Sequence, residues 1–192
     1  SWLSEPAAVS APPPGEPAPA ALATATPEGA QERASCSLPE RGSGPYGAWE
    51  KLPLGMISVP APAPSDEYDL LLHLHGGDAM HQVVAPEAFP GLVLAAVDAG
   101  VGSRAYEEAL AGDALEQILG AVAESLRPAR LRHLILSSWS AGYGGVRTLL
   151  RRHPTVANAV ILLDSVHTGY AADGETLLAE DLAPFISLAH RG

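Results

Sequence analysis

The sequence predicts an α/β domain, three-layered and built on a mostly parallel sheet. Short runs that are apolar almost throughout mark strands buried on both faces. Stretches with helical apolar spacing stand between them, and glycine and serine crowd the junctions after the strands. The chain has 192 residues, 47% of them apolar, which suits one domain with a real core. Its net charge of −11 repels phosphate backbones and anionic lipid surfaces, so nucleic acid is not expected as a partner. No apolar run reaches the ~20 residues that cross a bilayer. Cys36 is the single cysteine, which excludes an intramolecular disulfide and a thiolate metal cluster.

Residues 1–45 read as a leader or linker of Ala, Pro, Ser, Thr and Gly. Alanine and proline offer too little buried area to offset the entropy of ordering the backbone, so this stretch is expected to be disordered and extended. Its composition leans toward a secreted protein or a bacterial cell envelope, and arginine in place of nearly all lysine points to a GC-rich genome. The folded domain is expected over residues 46–192. Leu54–Val59 and Tyr68–His75 have the length and composition of strands, the second closing on Gly76 and Gly77. Gly91–Asp98 is a third strand. From Tyr106 to Leu126, Leu110, Leu115, Ile118 and Val122 recur at helical spacing and predict one long amphipathic helix. His133–Trp139 is a fourth strand, Ala141–Arg152 a helix stopped before Pro154, and Val156–Asp164 a fifth, fully buried strand. Glu175–Ala189 is weakly amphipathic and helical, with Pro184 able to kink it.

In open parallel sheets, ligands collect beyond the carboxyl ends of the strands. Three such junctions carry chemistry here: His73-Leu74-His75-Gly76-Gly77-Asp78, Ser138-Trp139-Ser140-Ala141-Gly142-Tyr143, and Asp164-Ser165-Val166-His167. A serine on a tight strand-to-helix turn needs small neighbours, which Ser138, Ala141 and Gly142 supply. The turn lifts the hydroxyl over the sheet edge and sets the Ala141 amide at a helix start, where an oxyanion finds a donor and a positive helix end.

At these residues the sequence resembles the α/β-hydrolase superfamily. Its nucleophile elbow, Gly-x-Ser-x-Gly, stands here as Ser138-Trp139-Ser140-Ala141-Gly142, with serine in the first place. His75-Gly76-Gly77 is similar to the family's His-Gly-Gly loop, which implies oxyanion donors among Gly76, Gly77 and Asp78. The resemblance, covering Leu54 to Tyr170, implies a serine hydrolase that cleaves an ester or amide, peptides included, through an acyl-enzyme without a cofactor. Ser140 would be the nucleophile, His167 the base, Asp164 the acid that holds it, and His75, Trp139 and Tyr143 would line the substrate pocket. The family's catalytic histidine usually follows the last strand, yet only residues 141–192 follow Ser140. The expected domain is therefore incomplete at its C-terminus, to be completed by further chain or a second polypeptide, unless His167 or His190 substitutes.

Other chemistry stays open. His73 and His75 sit two apart on a strand, so both imidazoles can face one metal ion, with Asp78, His81, His133, Asp164 or His167 to complete it. Gly142-Tyr143-Gly144-Gly145 with Asp164 ~20 residues on has the outline of a dinucleotide fingerprint, but Ser140 precedes its glycines and it is not the first strand-helix turn. A hydrolase-like domain kept for binding or assembly is the non-enzymatic alternative.

Overall fold

The computed structural model describes residues 46–77, 80 and 89–191, all within the unit Ser37–Gly192. The leader, Asp78 and His81 lie outside the described residues. Six strands are present: β1 (Glu50–Lys51), β2 (Met56–Ser58), β3 (Glu67–Leu74), β4 (Leu92–Val97), β5 (Arg130–Trp139) and β6 (Ala159–Leu163). Among the described residues, four helices join them: α1 (Ser103–Ala109), α2 (Ala114–Ser125), α3 (Tyr143–Arg152) and α4 (Ala179–Ala189). A 3-10 turn over Ser140–Gly142 leads from β5 into α3.

The strands form one sheet in the order β1-β2-β4-β3-β5-β6. β1, β2 and β4 pair antiparallel, whereas β4, β3, β5 and β6 run parallel. The predicted α/β class and mostly parallel sheet are what the chain adopts. Register aligns the strand ends, with Leu74 opposite both Val97 and Ser138, and Trp139 opposite Leu163. The residues that follow β3, β4, β5 and β6 therefore share one rim.

Side chains alternate across a sheet, and here the two faces differ sharply. On one face Leu70, Leu72, Leu74, Leu134 and Leu136 pack with Tyr106, Ile118, Val122 and Leu149 of the helices, all buried. Phe185 and Leu188 of α4 join the same core. The opposite face has a smaller cluster, Leu71, Met80, Leu92 and Leu94. Beyond it lies an apolar groove of about 560 Å³ lined by Leu71, His73, Ile135, Ser137, Ile161 and Leu163 among others. β6 departs from the sequence expectation here. Its Val160 and Leu162 are partly buried against the core, but Ile161 and Leu163 stand half exposed on the groove side. An unbroken apolar run gives no sign of which strand ends at an edge.

The single long helix expected from Tyr106 to Leu126 is two helices. Gly112 takes a left-handed φ of 66° between them, a conformation glycine adopts without steric cost. Pro184 lies inside α4, and lacking an N–H it leaves the Glu180 carbonyl without its helical donor. The Arg151 guanidinium donates to that oxygen at 2.9 Å instead. α4 is further held through Arg147, which is buried on α3 and pairs with Glu107 of α1 and, at 2.8 Å, with Asp181 of α4.

Candidate active site

The elbow forms as its residue types require. β5 is extended through Trp139, and then Ser140 turns left-handed at φ 43°. A non-glycine residue pays about 1–2 kcal/mol for that backbone. Gly142 explains why the turn must be small. A Cβ there would sit 2.2 Å from the Leu74 carbonyl oxygen, so the start of α3 presses directly on the end of β3. Gly144 and Gly145 extend this contact, with the positions of their missing Cβ atoms 2.5 Å from Ser103 O and from Leu110 Cδ1. Ser138, in the first motif position, is buried and its hydroxyl has no hydrogen-bond partner among the described residues. Ser140 is partly accessible, and its hydroxyl too forms no hydrogen bond among them. The Ala141 amide lies in the first helical turn, where amides have no intrahelical acceptor.

The loop after β3 lies beside the elbow. His75 and Gly76 both have left-handed φ, 74° and 75°, and the His75 amide donates to Val97 O at 3.1 Å. A Cβ on Gly77 would sit 2.2 Å from the Cβ of Ala96, so the loop presses onto β4. The His75 ring stacks on Trp139, centroids 5.2 Å apart and 19° from parallel. Trp139 is half exposed, so the pair makes an accessible aromatic wall next to Ser140.

Two residues that sequence reading did not place in the site are joined to this loop. His75 Nδ1 is 2.7 Å from the Tyr106 hydroxyl, which is 2.8 Å from Asp98 Oδ1. Asp98 Oδ1 also accepts from the Gly100 amide at 3.1 Å. The Tyr106 hydroxyl above all, against the opposing effect of burial, holds the Asp98 carboxyl below its ordinary range. Tyr106 in turn is pushed well above the usual phenol range by burial and by the Asp98 carboxylate. Asp98 follows β4 at the same rim, a position that could have signalled it; Tyr106 stood in the sequence only as the start of the expected helix, and its ring is buried.

The shared metal face expected of His73 and His75 does not form. The positive φ at His75 takes it out of the strand's alternation. His73 is buried: its Nε2–H donates to the His75 carbonyl at 2.8 Å, and the Ser137 hydroxyl donates to Nδ1 at 2.7 Å. Burial pushes its imidazole down toward the neutral form. No group of three metal-ligating side chains occurs among the described residues. His133 lies elsewhere, its Nδ1 2.9 Å from Asp69.

The third junction brings its residues only partly together. Asp164 has a φ of 49° at the end of β6. The Ser165 hydroxyl donates to the Leu163 carbonyl and, at 3.3 Å, to that of Ser138, tying this loop to β5. His167 packs against Tyr143, ring centroids 5.3 Å apart, which sets it beside the elbow helix. Its Nε2 is 3.3 Å from the Asp164 main-chain oxygen, so the carbonyl and not the carboxylate holds the imidazole. Tyr143 also carries the Arg147 guanidinium 5.3 Å from its ring centre, and His190 ends α4.

No protein family profile and no curated protein matches the chain. Solved structures do. A carboxylesterase from Bacillus subtilis aligns at 14% identity over 67% of this chain and 47% of its own, with a TM-score of 0.41. An enterochelin esterase from Shigella flexneri aligns at 16% identity, over 73% of this chain and 42% of its own, with a TM-score of 0.46. A siderophore hydrolase from Aspergillus nidulans aligns at 12% identity over 69% and 58%, with a TM-score of 0.42. The chain spans about half the length of these structures. No described helix is long and apolar enough to cross a membrane.

Proposed function

We propose that this chain is a serine hydrolase in which Ser140 attacks the carbonyl carbon of an ester or amide. The observation that supports it best is the left-handed Ser140, φ 43°, with a free hydroxyl on a turn pressed against β3. Strained backbone positions of this kind cluster at active sites. In the first step a bond forms between Ser140 Oγ and the carbonyl carbon, and the hydroxyl proton passes to an imidazole. The oxyanion so formed lies by the Ala141 amide and an amide of the Gly76-Gly77 loop; Gly77 is the freer donor, because the Gly76 amide faces Asp98. The carbonyl re-forms, the bond to the alcohol or amine breaks, and the imidazole returns the proton to that leaving group. Water then releases the acid by the reverse path. His167 is the proton acceptor in this scheme. It must swing off the Asp164 main-chain oxygen to serve, whereupon Asp164 can hold it through the carboxylate.

A small ester, amide or peptide is the substrate class, and further chain or a second polypeptide completing the sheet beyond β6 belongs to the same proposal. So does a secreted or cell-envelope location. A serine-directed fluorophosphonate should label the chain at Ser140, and Ser140→Ala should abolish labelling while leaving the unfolding midpoint unchanged. Labelling retained in the alanine variant rejects the nucleophile. The His167 hydrogen bond to a carbonyl in place of a carboxylate favours a second reading, a hydrolase-like binding domain, which an unlabelled wild-type chain would support.

A further inference from the structure

We propose that Asp98 and Tyr106 are positioning residues that, through His75, hold the His75-Gly76-Gly77 loop in register with the Ser140 elbow. The inference rests on the serine-hydrolase proposal and adds to it two residues and a proton arrangement.

Hydrogen-bond direction follows from counting protons. Asp98 is ionised and can only accept, so the Tyr106 O–H donates to its Oδ1 across 2.8 Å. That is the one proton the phenol has. The 2.7 Å contact between Tyr106 Oη and His75 Nδ1 must then be donated by the imidazole. In its neutral form His75 is therefore the Nδ1–H tautomer, its ring anchored at that nitrogen. The Asp98 charge, 3.9 Å from Nδ1, reinforces the arrangement.

This anchor answers a mechanical need of the loop. His75 and Gly76 are two successive left-handed residues, and His75 bears a side chain that such a backbone disfavours. Something must over-determine the bend for it to persist. The imidazole is clamped on three sides: Tyr106 hydrogen-bonds Nδ1, the Tyr106 ring meets it edge-on at 5.5 Å, and Trp139 stacks on its face. Tyr106 lies on α1, which also packs against the 3-10 turn bearing Ser140. Trp139 is the residue before the nucleophile. The clamp thus joins the oxyanion loop and the elbow through one side chain, and Asp98 sets its direction from the end of β4. Loosening it leaves the fold and the serine in place but lets the loop amides drift from the position of the oxyanion.

The experiment combines His75 ring-nitrogen NMR with fluorophosphonate labelling rates for wild type, Tyr106→Phe and Asp98→Asn, each checked for an intact unfolding transition. In the wild type the neutral form of His75 should carry its proton on Nδ1. Tyr106→Phe keeps the aromatic contacts but removes the acceptor, and should shift the neutral tautomer population toward Nε2–H by about tenfold, as expected for losing one hydrogen bond. Both variants should be labelled at Ser140 at least about tenfold more slowly at saturating probe, with the half-saturating probe concentration little changed, since the positioning affects the transition state and not probe binding. A wild-type His75 whose neutral form carries its proton on Nε2 overturns the proposal even where a variant fails to fold. Wild-type rates in both variants also overturn it. A wild-type chain that takes no label at all rejects instead the nucleophilic role of Ser140.

Discussion

Gly142→Ala tests the contact on which the elbow is built. Gly142 has φ −60° and ψ −18°, a backbone that alanine adopts freely, so the substitution carries no conformational penalty and reports packing alone. The added methyl would meet Leu74 O at 2.2 Å, Leu74 C at 2.7 Å and Leu74 Cβ at 2.9 Å. Ordinary contact begins near 3.4 Å, so β3 and the start of α3 must separate by about 1 Å. Two of the three obstructing atoms are backbone and cannot rotate away. Overpacking costs about 1–3 kcal/mol, and a rigid obstacle places this case near 3 kcal/mol, a fall in Tm of about 6–12 °C for a chain of this size. The same separation moves Leu74, and with it His75, from Ser140, so labelling by the fluorophosphonate should slow by about a hundredfold. Urea unfolding followed by circular dichroism gives the first quantity and gel fluorescence the second. Gly120→Ala is the matched control. It lies in α2 with nothing within 4 Å of the new methyl, and should gain about 0.5–1 kcal/mol from helix propensity. A Gly142→Ala stability within about 0.5 kcal/mol of wild type would refute the close approach of α3 to β3.

Three further outcomes are expected. Ser138→Ala removes a buried hydroxyl without a partner among the described residues and should stabilise the chain by about 1 kcal/mol in denaturant titration. Ile161→Ala, on the groove side of β6 and 46% exposed, should cost less than about 1 kcal/mol, whereas Leu72→Ala, wholly buried on the helix-covered face, should cost about 2–5 kcal/mol. Stability should fall below about pH 4. The Arg132 hydrogen bond above all holds Asp69 below its usual 3.8, so its contribution is complete above that value and is lost as pH falls through the lower folded value. Asp69→Asn should flatten this acid limb in pH-dependent melts.

β2 to β6 were legible because each contains a compact apolar run, and Tyr68–His75 and Gly91–Asp98 match β3 and β4 to within a residue at each end. β1 escaped notice because two residues, Glu50 and Lys51, carry no pattern. The break at Gly112 was hidden because apolar spacing continues across it; the positive φ that ends α1 is a backbone property shared by many glycines that do not break helices. Ser140, Ala141 and Gly142 were visible as a motif, since the elbow demands small residues in fixed places. Asp98 stood at a strand end, but its partnership with Tyr106 was not legible, because it depends on β4 and α1 meeting at the rim, a tertiary fact with no local signature. The same holds for His73. Strand alternation pairs it with His75, and only the left-handed turn at His75 separates them.

His75, Ser140 and Asp164 are the only described non-glycine residues with positive φ, and they end three parallel strands at one rim. A left-handed conformation is the one a mutational library can relieve most cheaply, by glycine at each position. Selection of this chain for heat resistance alone should therefore erode that rim first, enriching glycine where imidazole, hydroxyl and carboxylate now stand. If the serine-hydrolase proposal holds, survivors of such a screen would be sturdier and unlabelled by a fluorophosphonate, and the positions it empties would map where durability was given up for reactivity.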